Sequence, residues 1–428
     1  MTRRRRSPIA LVLVLLSVAA GCDAGPEDEV TRITVMVSGD PEEIDAYRAV
    51  VTAFERSQNV VDAQLLPFAD RDDLIVRLST SIAGGQPPDL FLMNYRYYAQ
   101  FAARDALEPV DSYLRMSDAF SAEDFFETSM TPFRWQGEQM CLPQNVSSLV
   151  VYYNADRFVQ AGLPLPAEGW TWDDMVRSAR ALTIDDDGDA TPDVYGLGVD
   201  PEIIRLAPFI WSNGGTLVDD QAAPTRFAFD APALSAMQRF LDLRSVDRVT
   251  PSDEEAEAED AESRFLNGRL GMLMESRHVV PAFRTISSFQ WDVAPLPILS
   301  EQVSVLHADA YCITAGSDAK EASWRFIEFA LGPEGQRITA EAGRTVPSLR
   351  SIADSDAFLE PASPPLHSEV FLDQIPRLRA VPVASTWAEI EDVANGIIEE
   401  AYYGGGRALE VAVELTIQTE NLFARAER

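Results

Sequence analysis

Arg32-Ile33-Thr34-Val35-Met36-Val37-Ser38 alternates apolar and polar residues, the period of a strand with one face on a core. Gly39-Asp40-Pro41 breaks the run. From Glu42 through Phe54 the apolar residues Ile44, Tyr47, Val50, Val51 and Phe54 then recur at helical spacing. Asp62-Ala63-Gln64-Leu65-Leu66 predicts a second strand, and Asp70 to Ala83 a second helix with Leu74, Leu78 and Ile82 on one face. Asp89-Leu90-Phe91-Leu92-Met93 follows as a third strand. Its near-continuous apolar character suits a parallel strand buried on both faces. Strand-helix-strand-helix-strand in this order is the pattern of an α/β domain with a parallel sheet.

A similar rhythm follows. Leu149 to Tyr153 reads as a strand, and Ala155-Asp156-Arg157-Phe158 opens a helix. Thr171 is placed to N-cap a helix that starts at Trp172-Asp173-Asp174-Met175. The acidic run Glu254 to Glu262 reads as a solvated helix face before Phe265-Leu266. A helix through Trp324-Arg325-Phe326-Ile327-Glu328-Phe329 ends at Gly332-Pro333, and the chain from Glu389 onward is largely helical, interrupted at Gly404-Gly405-Gly406.

The formal net charge is −33, and Lys320 is the single lysine. Such an excess of acid repels nucleic acid and anionic lipid, which excludes both as partners. There are three histidines, His278, His307 and His367, and no HExxH, CxxC or GxSxG motif. Zinc sites and Ser-His-Asp triads therefore have little to draw on, which points away from catalysis.

Arg3, Arg4, Arg5 and Arg6 precede an apolar run from Ile9 to Leu16, and small residues lead to Cys22. This is a secretory leader, too short for a membrane span. Cys22 after Ala19-Ala20-Gly21 resembles a bacterial lipobox, although Ala19 stands where Leu is usual. Residues 1–22 are thus expected to be a lipoprotein signal with Cys22 lipidated, against ordinary cleavage at an A-x-A-like site. Either reading puts the protein outside the cytoplasm. Residues 23–31 read as a flexible tether. Removing the leader leaves roughly 400 residues, two domains' worth of core. With Cys22 assigned, Cys141 and Cys312 remain, and two readings stay open: a disulfide, or two buried thiols.

The segment Pro143-Gln144-Asn145-Val146-Ser147-Ser148-Leu149-Val150-Val151-Tyr152-Tyr153-Asn154 resembles the extracellular solute-binding proteins of bacterial carbohydrate ABC importers, the maltodextrin-binding-like group. Ala161-Gly162-Leu163-Pro164 and Gly169-Trp170-Thr171-Trp172-Asp173-Asp174 strengthen the likeness. So do Pro88-Asp89-Leu90-Phe91, Trp211-Ser212-Asn213-Gly214-Gly215, Phe265-Leu266-Asn267-Gly268, Trp291-Asp292-Val293-Ala294-Pro295-Leu296-Pro297 and Gly332-Pro333-Glu334-Gly335, all in family order. The resemblance implies a two-lobed type II periplasmic-binding-protein fold with the ligand cleft between the lobes. One lobe would hold residues 32–145 with 298–343, and the other 149–296 with 345–428, its last helices leaning back on the first. It implies a monomeric, lipid-anchored receptor, not an enzyme, that delivers a sugar or sugar derivative to ABC permease subunits and needs no cofactor.

Sugar recognition needs planar aromatics for C–H faces and polar groups for hydroxyls. Strand ends are the expected positions. Asp40 ends the first strand; Asn94 and Tyr95, with Arg96, end the third. Asn145 and Ser147 lie where the resemblance places a crossing between lobes. Trp211 and Asn213 precede two glycines that would let backbone approach a ligand, or Trp211 is a core residue. Glu275, with Arg277 and His278, matches the segment where relatives carry an aromatic platform, and here the aromatic is missing or replaced by His278, which argues against a maltodextrin-like stacking site. Asp309 and Arg344 fall near later crossings, as ligand contacts or as an ion pair with each other, and Trp387 matches a stacking position. Asp185, Asp187, Asp189 and Asp193 match positions 1, 3, 5 and 9 of a calcium loop, but Ala190 replaces the usual glycine and no Glu stands at position 12. Structural Ca²⁺ and an acidic surface hairpin both stay open there. Two rival functions stay open as well: a secreted carbohydrate-active enzyme using Asp40 and Asp309 as paired carboxylates, and a ligand-responsive sensor on the same scaffold.

Overall fold

The computed structural model describes residues 30–427. The leader, Cys22 and most of the expected tether lie outside the described residues. Strands follow in chain order as β1 (Thr31–Ser38), β2 (Val61–Phe68), β3 (Leu90–Asn94), β4 (Cys141–Pro143), β5 (Ser147–Ser148) and β6 (Val150–Asn154). Then come β7 (Tyr195–Gly198), β8 (Leu270–Glu275), β9 (Trp291–Ala294), β10 (Ser304–His307), β11 (Asp309–Ile313) and β12 (Leu378–Arg379). Thr31, expected in the tether, already pairs with Val61 in the first sheet.

The first sheet has the order β2-β1-β3-β11-β4 and the second β9-β6-β8-β7. The βαβαβ start makes β1 parallel to β2 and β3, as expected. The sheet becomes mixed because β11 enters antiparallel to both β3 and β4. A third, short sheet, β12-β10-β5, lies on the chain segments that pass between the two larger ones. The passages are β4 to β6 through β5 and β9 to β11 through β10, with Ser147 opposite His307. A third passage runs beside them, where Val346 accepts from the Val146 N–H at 2.9 Å.

Alternation in β1 sends Ile33, Val35 and Val37 into one core with the helix Lys320–Leu331, while Met36 joins Leu74 and Leu78 on the other face. Helix α1 (Pro41–Ser57) buries Ile44, Tyr47, Val50, Val51 and Phe54, the stripe expected from spacing. Asp70 caps α2 (Arg71–Ala83) and Asn94 caps α3 (Tyr95–Ala102). Thr171 caps the helix Trp172–Leu182 in a capping box with Asp174.

The chain ends in α4 (Trp387–Gly404) and α5 (Ala408–Arg425). α4 reaches back to the first sheet's helices: Glu391 pairs with Arg96 of α3, both nearly excluded from water. Tyr97 and Trp387 also donate to that carboxylate, at 3.4 and 3.1 Å.

Cys141 and Cys312 sit opposite each other on β4 and β11, and a disulfide joins them. Their Cα atoms are 4.4 Å apart, the spacing of a non-hydrogen-bonded antiparallel pair. The bond closes a loop of 171 residues, which limits the unfolded ensemble. A thiol titration of denatured, unreduced protein should detect neither cysteine. The double variant Cys141→Ser/Cys312→Ser should lose about 3 kcal/mol in denaturant unfolding. Two reactive thiols would show that the bridge does not form.

Candidate functional site

The crossing segments and the ends of the two large sheets enclose a cleft of about 420 Å³. Its lining is polar: among the described residues that line it there is no phenylalanine, tyrosine or tryptophan, and the rings present are the imidazoles of His278 and His307.

The cleft is built from two crossings that lock together. Asn145 Nδ2 donates to Asp309 Oδ2 at 3.0 Å, and the Asp309 N–H donates to Asn145 Oδ1 at 2.8 Å. The Gln144 N–H adds a bond to the Asp309 carbonyl at 2.7 Å. Next to this pair, Ser147 on β5 and His307 on β10 face each other in register.

On the first-sheet side, Gly39 ends β1 so closely under Glu43 that a Cβ there would fall 2.3 Å from Glu43 Oε2. Tyr47 donates to Glu43 Oε1 at 2.6 Å, and Arg344 donates to Oε2 at 3.0 Å. Burial pushes the Glu43 carboxyl up, against the opposing pull of Arg344 and Tyr47. Arg344 also pairs with Asp40 and donates to the His278 carbonyl at 3.1 Å. It therefore ties α1 to the backbone that follows β8. Asn94 Oδ1 accepts from the Arg96 N–H and Nε at 3.2 and 3.1 Å.

On the second-sheet side, His278 Nδ1 lies 2.8 Å from Ser276 Oγ and Nε2 lies 2.8 Å from Glu262. Burial disfavours the charged imidazole, but Glu275 and Glu262 outweigh it and raise its pKa. His307 behaves oppositely: burial, aided by Arg96, pushes it down to about 3.

Four buried polar atoms around this cleft have no partner among the described residues: Ser147 Oγ, His307 Nε2, Thr345 Oγ1 and Arg344 Nε. Such atoms cost about 1–3 kcal/mol each when left unpaired. The residues that carry them line the cavity, while the atoms themselves are almost wholly shielded from water.

Of the expected residues, Asn94, Asn145, Ser147, Asp309 and Arg344 line the cleft. Asp40 stands just beside it, capping α1 through the Glu43 N–H at 2.9 Å. The expected ion pair of Asp309 with Arg344 does not form: Asn145 takes the first, and Asp40 with Glu43 take the second. Asp40 is thereby committed to a cation and a helix end, which removes the paired-carboxylate arrangement.

Five expected contacts lie elsewhere. Tyr95 is fully buried, its hydroxyl accepting from the Val381 N–H at 3.1 Å. Trp211 belongs to the wholly buried helix Ile203–Ser212. Asn213 caps that helix's end and donates to the Pro232 carbonyl at 2.8 Å. Gly215 answers to that same packing, because a Cβ there would meet Ala233 N at 2.6 Å. Trp387 is fully buried between Phe227 and Phe423, with ring centroids 6.3 and 6.5 Å away. Glu275 lies behind the cleft, buried and paired with Arg205. Burial disfavours its charge, but Arg205 and His278 prevail and hold the carboxyl at about 2. Arg277 is also internal, over the Phe358 ring at 4.3 Å.

Glu43, Ser276, His307 and Thr345 also line the cleft and were not singled out from sequence as ligand contacts. Glu43 reads there as an ordinary first-turn acid, and only the approach of Arg344 distinguishes it. The acidic loop forms a hairpin closed by an Ile184–Val194 bridge. Carboxylate oxygens of Asp185, Asp187 and Asp193 come within 4.8 Å of one another, whereas Asp189 is not part of that group and accepts from the Thr191 N–H at 2.7 Å. Asp185 accepts from the Gly188 and Ala190 N–H groups at 2.7 and 3.0 Å, so the loop's own amides engage these carboxylates.

The two histidines give the fold opposite pH responses. Folded His307 takes its proton only near pH 3, whereas an unfolded histidine takes it at about 6.5. Its contribution is present above about pH 6.5 and is lost as pH falls towards 3. The raised pKa of His278 adds stability below about 6.5 that is lost as pH rises through its folded value. Urea midpoints measured across pH should therefore lose part of their acid-side slope in His307→Gln and part of their alkaline-side slope in His278→Gln. Unchanged slopes would refute these environments.

The fold has counterparts among known proteins. The family of bacterial extracellular solute-binding proteins matches residues 49–363. Over 415 residues the chain is 23% identical to the Brucella abortus protein BAB2_0491, named only as a binding protein, with 95% of each chain covered. It is 27% identical over 167 residues to the erythritol/L-threitol-binding protein of Mycolicibacterium smegmatis, covering 36% of this chain and 33% of that one. The ABC substrate-binding protein Lmo0181 of Listeria monocytogenes, solved in complex with cycloalternan, superposes with a TM-score of 0.84 at 23% identity, over 92% of this chain and 100% of that one. The two-sheet architecture, its crossing strands and the family match agree: this chain belongs to the bacterial extracellular solute-binding proteins, which capture substrates rather than convert them.

Proposed function

We propose that the protein is an extracytoplasmic receptor that captures a sugar or sugar derivative in the cleft and delivers it to an ABC permease. One observation carries this reading. Four unpartnered buried polar atoms and the Asn145–Asp309 pair converge on one cavity where the two halves of the molecule meet. A polyhydroxylated guest supplies the missing partners, since each hydroxyl both donates and accepts.

The walls come from both sides: Ser38, Gly39, Glu43 and Asn94 on one, Ser276 and His278 on the other. A guest touching both favours the closed arrangement through contacts that the open one lacks. The erythritol- and L-threitol-binding relative and the cycloalternan-bound structure support a carbohydrate-like ligand. Among the described residues no helix is long and apolar enough to cross a membrane; in this reading the membrane attachment is the acyl chain expected on Cys22. Mass spectrometry of the native N-terminal peptide tests that attachment, and an unmodified Cys22 or a mature chain starting elsewhere would remove it.

A bound sugar at a hundredfold excess over its Kd should stabilise the fold by about 2.7 kcal/mol. Thr345→Val deletes a hydroxyl that has no partner among the described residues. The ligand-free variant should melt at the same or a higher temperature, while its sugar affinity falls roughly threefold to tenfold. Calorimetric titration and thermal melts check both halves. A variant that binds normally but melts lower would make Thr345 a packing residue instead.

A further inference from the structure

We propose that the guest is a neutral alditol or a single sugar ring, held by hydrogen bonds alone and not by stacking; the proposal rests on the receptor reading above and narrows its ligand.

A pyranose ring has apolar C–H faces, and an oligosaccharide presents several in succession. Those faces need planar apolar cover to leave water without loss. The cleft provides none. Tyr95, Trp211 and Trp387 are enclosed in the core. Tyr97, next to Arg96 on α3, has its ring covered by Arg71 and Arg96, whose guanidinium carbons lie 4.3 and 5.1 Å from its centroid. What lines the cleft is a set of polar residues, among them Ser147, Ser276, Thr345, His307, Asn145 and Asp309. The Asn94 amide adds a donor, because only its oxygen is taken by Arg96. Groups of this kind, several per few atoms of guest, suit a molecule with a hydroxyl on nearly every carbon.

The largely buried arginines of the cleft are already matched by carboxylates within the protein. Arg344 is held by Asp40 and Glu43, Arg96 by Glu391, and Asp309 accepts from Asn145. Arg71 is half exposed and 3.9 Å from Asp72. Apart from the exposed Arg71, an anionic guest would have to take a guanidinium from a buried carboxylate, and leaving one member of a buried pair alone is costly. The net charge of −33 opposes an anion further. A neutral guest disturbs none of these pairs.

The test is a calorimetric and thermal-shift comparison on the purified mature protein. The panel holds C4 to C6 alditols, neutral monosaccharides, maltose and maltotriose, and a sugar phosphate and a uronic acid as anionic probes. The expected result is saturable binding of at least one alditol or monosaccharide, at least tenfold tighter than every glucan and every anion. Tighter binding of maltotriose would overturn the proposal while leaving the sugar-receptor reading intact, and so would tighter binding of an anion. No binding of any carbohydrate at millimolar concentration would overturn the receptor reading, and the proposal with it.

Discussion

The reciprocal bond between Asn145 and Asp309 is the contact on which the arrangement depends. It joins the passage from β4 to β6 to the passage from β9 to β11, which are far apart in sequence. Each residue satisfies the other with two hydrogen bonds in a place that water reaches poorly, so each is held in one orientation. With these passages fixed, Ser147 and His307 fall in register, and Thr345 comes alongside on the third passage. The ends of the two large sheets then stand on either side of the cleft.

A second constraint comes from the allocation of aromatic residues. Trp211, Trp387 and Tyr95 close the core against helices, and Trp387 also donates to Glu391. Truncating a buried tryptophan to alanine costs about 3–5 kcal/mol. Alanine at Trp387 would therefore report on folding and on the α4 contact with Arg96, not on ligand contact. The recognition surface is left to short polar side chains and to arginines whose charges are balanced locally. Such a surface discriminates by geometry, because a guest lacking a hydroxyl leaves a buried group unpaired.

Much of the architecture was legible in the chain. The βαβαβ start, the buried stripe of α1, the caps at Asp70 and Thr171 and the helical C-terminus all follow from local periodicity and capping chemistry. The entry of β11 into the first sheet was not legible, because the partner of an antiparallel strand more than two hundred residues away leaves no local trace. The cleft was half legible. Asn94, Asn145, Ser147, Asp309 and Arg344 stand at strand ends or crossings, where position alone marks them. Glu43 and Thr345 carry no such mark, since an acid in a first helical turn and a threonine before a valine occur in any globular protein.

The amino-acid order by itself determined an α/β chain of two cores with a polar segment running between them, since strand alternation and helical spacing are properties of neighbours. It left open whether Cys141 meets Cys312, which carboxylate Arg344 grips and whether any tryptophan reaches the cleft. Tertiary structure decided these. A disulfide needs two Cα atoms brought within a few ångströms, an ion pair forms with whichever acid the fold delivers, and a tryptophan goes where the most apolar surface can be withdrawn from water.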